Sequence, residues 1–388
     1  MVQFGKKAAV LTAAGVFAAM SVTGCSGSID TEAVVATVGD EDITLGVANF
    51  YARMMQGQYE TYYAGMMGTT AEEMWAQDAG DDKTYEESMK DSILESLENM
   101  YIISQHAADY EVALSEDEQK AIEDAAAKFS EDNTEDAKEI VSGYQKHIEK
   151  LLELSTIQNK MDSKMREGVD EEVSDEEAAQ KSMDYVYFSY TSTDDSGNST
   201  ELTDEEKETL KTSAQSLADR VKGGEDMAAV AEELGVEVQT ETFDSESAAP
   251  SEELVAAADA LAAEGDVTDV VETDSGLYVA KLTSLLDREA TDQEKTNIIE
   301  QRKQEQYDSL LEEWRDAADI EVNEKVWKKV DFDEIGVTII TSEEETSDDG
   351  TADDGTADDG STTDDGSADA ADSGSADGAE DGSGDTAE

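Results

Sequence analysis

The sequence predicts an α+β protein in which a largely helical region is interrupted by a smaller domain built on an antiparallel sheet. Residues 33–180 carry apolar side chains at helical spacing, and this spacing returns over residues 292–318. Between them, residues 183–287 combine runs of aromatic and β-branched residues with turns and short helical segments. The order of these segments, β-α-α-β-α-β-β, is typical of an α+β domain on an antiparallel sheet.

The first 24 residues have the pattern of a signal peptide. Lys6 and Lys7 precede an apolar run over residues 8–22, which is too short for a transmembrane helix. The run ends in Val-Thr-Gly-Cys-Ser, residues 22–26, which is similar to the bacterial lipobox, in which the cysteine becomes the lipidated first residue. We therefore expect a lipoprotein signal peptide over residues 1–24 and a lipidated linker over residues 25–32.

Cys25 is the expected lipidation site. It is the only cysteine in the chain, so an internal disulfide is excluded. A chance cysteine in an ordinary signal peptide is the alternative interpretation. A lipidated Cys25 would anchor the protein on the outer face of the bacterial cytoplasmic membrane, which makes the lipid membrane an expected partner.

The helical domain expected over residues 33–180 opens with a short strand at Val34–Val38. Three apolar faces at helical spacing follow, running from Val47 to Tyr62, from Tyr85 to Met100 and from Ile140 to Met165. Four phrases in the chain place a hydroxyl and a carboxylate at the spacing of a capping box, which satisfies free amides at a helix start. They are Ser115–Glu118, Ser174–Glu177, Thr203–Glu206 and Thr291–Glu294.

The sheet domain expected over residues 183–287 begins with an aromatic strand at residues 183–190 and ends in a hairpin. The hairpin turn is Asp274-Ser-Gly276, because these residue types favour turns. The predicted elements between strand and hairpin are the helices 204–222 and 227–234, a strand over 236–243, and a helix over 250–263 opened by Pro250.

Beyond the sheet domain, residues 288–332 are expected to supply a helix and a strand that complete the helical domain. Residues 341–388 consist of Asp, Gly, Ala, Ser, Thr and Glu, and contain no large apolar residue that could offset the entropy of ordering. We expect a disordered acidic tail there. Its Asp-Asp-Gly units lack the spaced carboxylates and closing glutamate of a calcium-binding loop, so no metal site is predicted.

The chain is strongly acidic, with 97 acidic and 27 basic residues and a formal net charge of −70. Such a surface repels phosphate backbones, so no nucleic-acid partner is expected. The charge is typical of a solubilising surface that limits adhesion outside the cytoplasm. The sequence predicts no cofactor.

Three phrases resemble the parvulin type of peptidyl-prolyl isomerase domain. They are Gly223-Gly-Glu-Asp-Met-Ala-Ala-Val-Ala231, Pro250-Ser-Glu-Glu-Leu-Val-Ala-Ala-Ala-Asp-Ala-Leu261, and Val271-Glu-Thr-Asp-Ser-Gly-Leu-Tyr-Val-Ala-Lys-Leu282. In addition, Val35-Ala-Thr-Val-Gly-Asp-Glu-Asp-Ile-Thr44 resembles the opening of PrsA- and SurA-like extracytoplasmic foldases. The resemblance covers most of residues 33–330. It implies a helical chaperone domain with an inserted parvulin-like (PpiC-like) domain.

The resemblance also implies where a catalytic pocket would lie. Parvulins lower the barrier of about 18–20 kcal/mol for rotating a prolyl imide in an apolar pocket flanked by two histidines and a Cys or Asp. The positions equivalent to pocket residues are Tyr185, Phe243, Leu254, Asp259 and Tyr278. Tyrosine replaces both histidines, and its pKa near 10 prevents titration near neutrality. We therefore expect isomerase activity to be weak or lost.

If catalysis is lost, the helical region must carry the function by holding unfolded exported polypeptides. Methionine suits such a surface because its side chain adapts to many apolar partners. The candidate client-binding residues are Met54, Met55, Tyr59, Tyr62, Tyr63, Met66, Met67 and Trp75. The alternative is that most of these side chains are core.

The sequence leaves three functions open. A membrane-anchored foldase acting mainly as a holdase is the first, and a working isomerase with a tyrosine-containing pocket is the second. A surface lipoprotein that uses this architecture for binding or adhesion is the third. Dimerisation through the helical region is also left open.

Overall fold

The computed structural model describes residues 19–23, 29–63, 66, 68–193, 197 and 199–340. Several expectations lie outside this part of the chain. They are the signal peptide before Ala19, the lipidation site Cys25, the candidate client residue Met67 and the acidic tail over 341–388. These expectations remain predictions.

The helical domain is arranged around a three-stranded antiparallel sheet. Strand β2 (Val34–Val38) lies between β3 (Glu41–Thr44) and β12 (Ile320–Val322), and β12 comes from the far end of the chain. The strands and helices of this part are β1 Met20–Thr23, β2 Val34–Val38, β3 Glu41–Thr44, α1 Leu45–Gln58, α2 Ala71–Trp75, β4 Asp78–Gly80, β5 Lys83–Thr84, α3 Tyr85–His106, α4 Glu116–Asp132, α5 Glu135–Val141 and α6 Gln145–Met165. A π-helical turn, Tyr59–Tyr63, follows α1, and a 3₁₀ turn, Ala107–Tyr110, follows α3.

The sheet domain contains a four-stranded antiparallel sheet in the order β10-β11-β6-β9. Its elements are β6 Lys181–Ser189, β7 Thr191–Thr193, β8 Ser199–Glu201, α7 Asp204–Lys222, α8 Met227–Leu234, β9 Val238–Phe243, α9 Glu252–Asp259, β10 Val271–Glu272 and β11 Gly276–Ser284. The chain then returns through α10 Arg288–Ala317, β12 Ile320–Val322, α11 Glu324–Trp327 and β13 Gly336–Ile339. The predicted α+β class, with an antiparallel sheet domain and a returning helix, is confirmed.

The four-stranded sheet of the sheet domain, which we call the central sheet, separates two apolar layers, because alternate side chains of a strand point to opposite faces. One face of β6 and β11 packs against α7 and α8 through residues that include Val186, Phe188 and Val279. The other face packs against α9 through residues that include Met183 and Leu282. The second face therefore holds the positions that the resemblance equates with a catalytic pocket.

The predicted helical face from Ile140 to Met165 is divided in the structure. Ser142 has a φ of 55°, which ends α5, and α6 starts at Gln145. A Cβ at Gly143 would lie 2.5 Å from the Phe129 ring, so only glycine fits beside α4 here. Local packing against Phe129 thus interrupts an apolar pattern that is continuous in the sequence.

Two of the four predicted capping boxes start helices, and two do not. Ser115 opens α4 and Thr203 opens α7, each with the reciprocal hydrogen bonds of the motif. The Ser174–Glu177 box was wrong as a helix start because it forms a single turn. The prediction that Thr291 starts a helix was also wrong, because Asp287 caps α10 one turn earlier. The Thr291 hydroxyl instead accepts a hydrogen bond from the Gln180 amide.

Two smaller differences concern the sheet domain and the end of the chain. Helix α9 spans 252–259 with Ser251 as its N-cap, so it is shorter than the predicted helix and does not begin at Pro250. Strand β13 lies beyond residue 332, where the completing segment was expected to end, and pairs with β1. Strand β1 in turn lies inside the predicted signal peptide.

Candidate functional site

Three tyrosine rings occupy one face of the central sheet, where the parvulin resemblance implies a pocket. Tyr185 and Tyr187 lie two residues apart on β6, and Tyr278 is the register partner of Tyr187 on β11. The Tyr187 and Tyr278 rings stack with centroids 4.5 Å apart, and the Tyr185 and Tyr278 centroids are 6.1 Å apart. The structure thus brings both predicted tyrosines together. It also adds Tyr187, which is partly buried and packs against the same cluster.

Hydrogen bonds fix two of these phenols. The Tyr185 hydroxyl donates to Gln239 Oε1 at 2.6 Å, across the β6–β9 pair. The Tyr187 hydroxyl donates to the Ser275 carbonyl at 2.7 Å, in the turn before β11. Each bond ties a ring to a neighbouring strand or turn, so the rings have little freedom to swing away from the sheet.

Burial favours the protonated form of the Tyr185 and Tyr278 phenols. Tyr185 and Tyr278 are each 6% exposed. Burial raises the pKa of Tyr278, and the adjacent Tyr187 and Tyr185 raise it further. Burial also raises the pKa of Tyr185, with a contribution from Glu241. Near neutral pH both groups are neutral hydrogen-bonding phenols, and neither can exchange a proton as a histidine does.

The remaining predicted pocket residues divide into core and rim. Phe243 and Leu254 are fully buried in the same cluster as the two tyrosines. Asp259 lies at the end of α9, and its carboxylate pairs with Lys181 Nζ at 2.9 Å. Ala258 takes the buried position beside it. The charge of Asp259 is therefore directed to the rim and neutralised there, whereas the sequence pattern had placed it in the pocket wall.

A cavity of about 350 Å³ opens beside α9. It is lined in part by Glu246, Glu252 and Asp259, and Val255 is the large apolar residue that contributes to it. Two glutamates and the Asp259–Lys181 ion pair around one large apolar side chain make a poor site for a proline ring, because binding the ring would strip water from these charged groups. On the three-tyrosine face, Tyr185 and Tyr278 are covered by α9 in one buried cluster with Leu254, Val255 and Ala258, which is the packing of a core, and Tyr187 is half-buried beside them.

The chain's two histidines lie far from this face in the helical domain. His106 stacks on Trp314 of α10 with ring centroids 4.2 Å apart. His147 is buried, and its Nδ1 lies 3.0 Å from the Ser142 carbonyl oxygen. His147 is thus a core residue, and its ring lies so close to Gly46 of α1 that a Cβ there would be 2.3 Å from it.

The candidate client-binding residues also divide between core and surface. Met54 and Trp75 are buried, so the alternative interpretation as core holds for them. Met55 and Tyr59 are partly buried against the main core. Tyr62, Tyr63 and Met66 are exposed by 52%, 48% and 80% of their surface, which makes them large apolar groups available to a partner.

Sequence reasoning missed two features of these sites. Tyr187 was not singled out, although its two-residue spacing from Tyr185 on a strand predicts that both share a face. The second is a carboxylate group formed by Glu86, Asp331 and Asp333, whose oxygens lie within 4.8 Å of one another. Glu86 already accepts from the Phe332 amide and from Lys90, so a metal ion bound there would compete with these donors.

Comparison with known protein families gives a match in the sheet domain. Residues 191–284 match the Rotamase family, described as the PPIC-type PPIASE domain. The expected parvulin-type (PpiC-like) domain is therefore confirmed. The match begins at β7, so it includes Tyr278 and α9 but not Tyr185 or Tyr187. None of the curated proteins compared with the chain matches it.

Solved structures of bacterial foldases are similar to this chain over much of its length. Foldase protein PrsA from Streptococcus pneumoniae shares 18% identity, covering 66% of this chain and 96% of its own, with a TM-score of 0.27. A SurA-like chaperone of Campylobacter jejuni shares 12% identity over 75% of this chain and 99% of its own, with a TM-score of 0.26. PrsA from Bacillus subtilis shares 16% identity over 66% of this chain and 96% of its own, with a TM-score of 0.22.

Within residues 19–340, apart from the gaps given above, no helix is both long and apolar enough to cross a bilayer.

Proposed function

We propose that this protein is an extracytoplasmic foldase that assists exported proteins mainly by holding their unfolded segments. The match of residues 191–284 to a prolyl isomerase domain supports a role in protein folding. The observation that carries the holding role is the closed three-tyrosine face. It occupies the place of a catalytic pocket, so the domain serves the molecule as a scaffold.

Loss of isomerase activity follows from the chemistry of that face. Catalysis requires the pocket to stabilise a rotated imide better than the planar one. Here Tyr278 is buried in the same apolar cluster as Leu254 of α9, and a prolyl peptide could reach its ring only by displacing core packing. The phenols near the rim can donate hydrogen bonds, but the only open cavity beside α9 among those described is acidic.

The exposed side chains after α1 are the proposed holding surface. Tyr63 belongs to an aromatic cluster in which Tyr59 contacts Tyr63 and Trp75 with centroid separations of 5.0 and 6.0 Å. Tyr62 and Met66 are near neighbours of Tyr63 in the sequence. Exposed, adaptable side chains next to these packed aromatic rings suit binding to many different apolar segments. The surrounding acidic surface would favour neutral or basic clients.

Anchoring belongs to the same proposal. Lipid on Cys25 would hold the molecule at the outer face of the cytoplasmic membrane, where exported chains emerge unfolded. The Lys6–Lys7 pair, the apolar run and the lipobox-like ending support this location.

A weak isomerase is the second candidate, and one observation favours it. The Tyr185–Gln239 hydrogen bond places a neutral donor network on the pocket face, close to the β9 edge. This phenol could donate to an imide without titrating, provided that the imide oxygen replaces Gln239 Oε1 as its acceptor. It would work only if α9 moves away from the sheet.

Two assays on the same processed protein separate these candidates. The first follows cis–trans isomerisation of prolyl peptides with a coupled protease, varying the residue before proline. The second follows light scattering as unrelated denatured proteins are diluted into buffer. We expect an uncatalysed isomerisation rate together with suppressed aggregation. Clear acceleration that disappears in Tyr185→Phe would establish the second candidate, and absence of both activities would refute the foldase proposal.

A further inference from the structure

Strand β1 occupies a place in the core that it would have to leave if the chain is cleaved before Cys25. Residues 20–23 precede the predicted cleavage point, yet they pair with all four residues of β13. Met20 is 5% exposed and belongs to the main apolar core. Cleavage would therefore remove a strand on which the described structure relies.

The hydrogen bonds of β13 show what such a cleavage would uncover. On one edge, the Val337 amide donates to Glu60 Oε2 at 2.7 Å and the Ile339 amide donates to Thr61 Oγ1 at 2.8 Å. On the other edge, the Ile340 amide donates to the Ala19 carbonyl at 2.8 Å, which fixes Thr338 and Ser21 as the next hydrogen-bonded pair. Removing β1 would leave this second edge without its ladder.

The rest of this slot, which we call the β13 slot, would remain intact. Gly57 of α1 lies so close to β13 that a Cβ there would be 3.2 Å from Val337 Cγ1, so α1 supports the strand from behind. Asn133, which follows α4, accepts a hydrogen bond from the Met20 amide at 2.8 Å and anchors itself to the Phe129 carbonyl. The groups that hold β1 are thus fixed by elements outside the leader.

We propose that in the processed protein the β13 slot binds an extended segment of an unfolded polypeptide by strand addition. The inference rests on the proposed foldase function and on cleavage before Cys25. An open strand edge and a vacated apolar site both favour a new strand, because unpaired backbone groups and exposed apolar surface cost free energy. In the precursor, β1 fills the slot and blocks it.

The strand already seated there indicates the chemistry of the occupant. It runs antiparallel to β13 and places an apolar side chain, Met20, inward, with Val22 half-buried two residues later. Ser21 and Thr23 point outward. The slot should therefore accept segments with apolar residues at alternate positions, without regard to the residues between them.

A second copy of this chain is a less suitable occupant. The formal net charge of −70 opposes close approach of two copies. An unfolded client segment of neutral or positive charge meets no such repulsion. Pairing of two β13 edges would appear in the experiment as a dimer that the peptide cannot dissociate.

The experiment uses the processed protein extracted from membranes in detergent, with its N-terminus identified by mass spectrometry. The probe is a fluorescent peptide containing Ala-Met-Ser-Val-Thr, the sequence of residues 19–23. One version carries an N-methyl group on the serine, whose amide joins the ladder. The matched control carries it on the valine, whose amide points away from β13. The Cys25→Ala chain, which keeps residues 1–24, serves as the blocked form.

We expect fluorescence anisotropy to show binding to the processed protein and about tenfold weaker binding of the serine-methylated peptide, because a ladder hydrogen bond is lost. The valine-methylated control should bind within about twofold of the parent. The Cys25→Ala chain should bind at least about tenfold more weakly, because its own β1 competes at high effective concentration.

Several results would overturn the inference. They are equal binding of the two methylated peptides, undiminished binding by Cys25→Ala, retention of residues 1–24 in the membrane-extracted protein, or a β13-mediated dimer that the peptide cannot dissociate in sedimentation. Aggregation assays on the same sample separate the two proposals. Suppressed aggregation without ladder-dependent peptide binding removes the β13 slot alone. Ladder-dependent peptide binding without suppression removes the foldase function, and leaves the β13 slot as a peptide-binding site without a role in holding clients.

Discussion

The Tyr187 and Tyr278 rings stack with centroids 4.5 Å apart and an interplanar angle of 26°, on neighbouring strands of the central sheet. The pair lies on the sheet face where the parvulin resemblance implies a catalytic pocket. Stacked rings of this kind stabilise a sheet through cross-strand contact and burial. Under the proposed holding function, this contact would help to keep the sheet domain rigid as a structural part of the molecule.

Tyr278→Ala should destabilise the protein as a core substitution does. Removing a ring that is 6% exposed leaves a void beneath α9, with an expected loss of about 3 kcal/mol in the free energy of unfolding. Urea unfolding followed by circular dichroism measures this loss. Tyr62→Ala, at an exposed ring, is the control and should change stability by less than about 0.5 kcal/mol. A similar small change for both variants would argue that the tyrosine face is not core.

Tyr62→Ser combined with Met66→Ser should weaken holding without weakening the fold. Both side chains are at least half exposed, and a few apolar groups usually carry most of a binding energy. We expect suppression of aggregation to fall to roughly half or less at equal protein concentration. The double variant Leu285→Ser with Val322→Ser changes two other exposed apolar residues and should leave suppression intact. Equal losses in both double variants would place the holding surface elsewhere.

The stability of the helical domain should fall as the pH drops below neutrality, through His147. Burial lowers the pKa of His147, assisted by nearby Lys146 and opposed by the Ser142 carbonyl and Glu32. At pH values between the folded and unfolded pKa of His147, the unfolded chain binds more protons than the folded chain. The contribution of His147 to stability is therefore fully present above its unfolded pKa near 6.5, and it is lost as the pH falls toward its folded pKa.

Urea unfolding of the native chain and of His147→Gln, measured from pH about 7.5 to about 4.5, tests this dependence. One proton can change the free energy of unfolding by at most about 1.4 kcal/mol per pH unit. We expect the native chain to lose more stability than the variant over this range. Parallel curves for the two proteins would mean that His147 does not contribute to the pH dependence.

Arg315→Ala should loosen the attachment of α10 to the helical domain. Arg315 Nη2 lies 2.5 Å from Glu98 Oε2, and the Glu98 side chain is 5% exposed. Leaving this carboxylate buried without its partner should cost about 3 kcal/mol in the free energy of unfolding. Adding Glu98→Gln to Arg315→Ala should recover part of that loss, as a double-mutant cycle would show. No recovery would assign the loss to packing of the arginine stem.

Much of the local structure follows from the sequence alone. Helices over 204–222 and 227–234 and the strand over 34–38 have the predicted bounds. The capping boxes at Ser115 and Thr203 start helices as expected. These features depend on groups within a few residues of one another, so periodicity and capping chemistry are sufficient to predict them.

Only the tertiary structure decided which side chains face a partner and which form the core. The Thr291 hydroxyl binds the Gln180 amide instead of starting a helix, because the chain returns beside β6 at that point. Asp259 turns to Lys181 at the rim, and Met54 and Trp75 lie in the core. Strand β1 finds its partner more than three hundred positions away, at β13. Pairings across such distances depend on how the whole chain packs, and no local pattern encodes them.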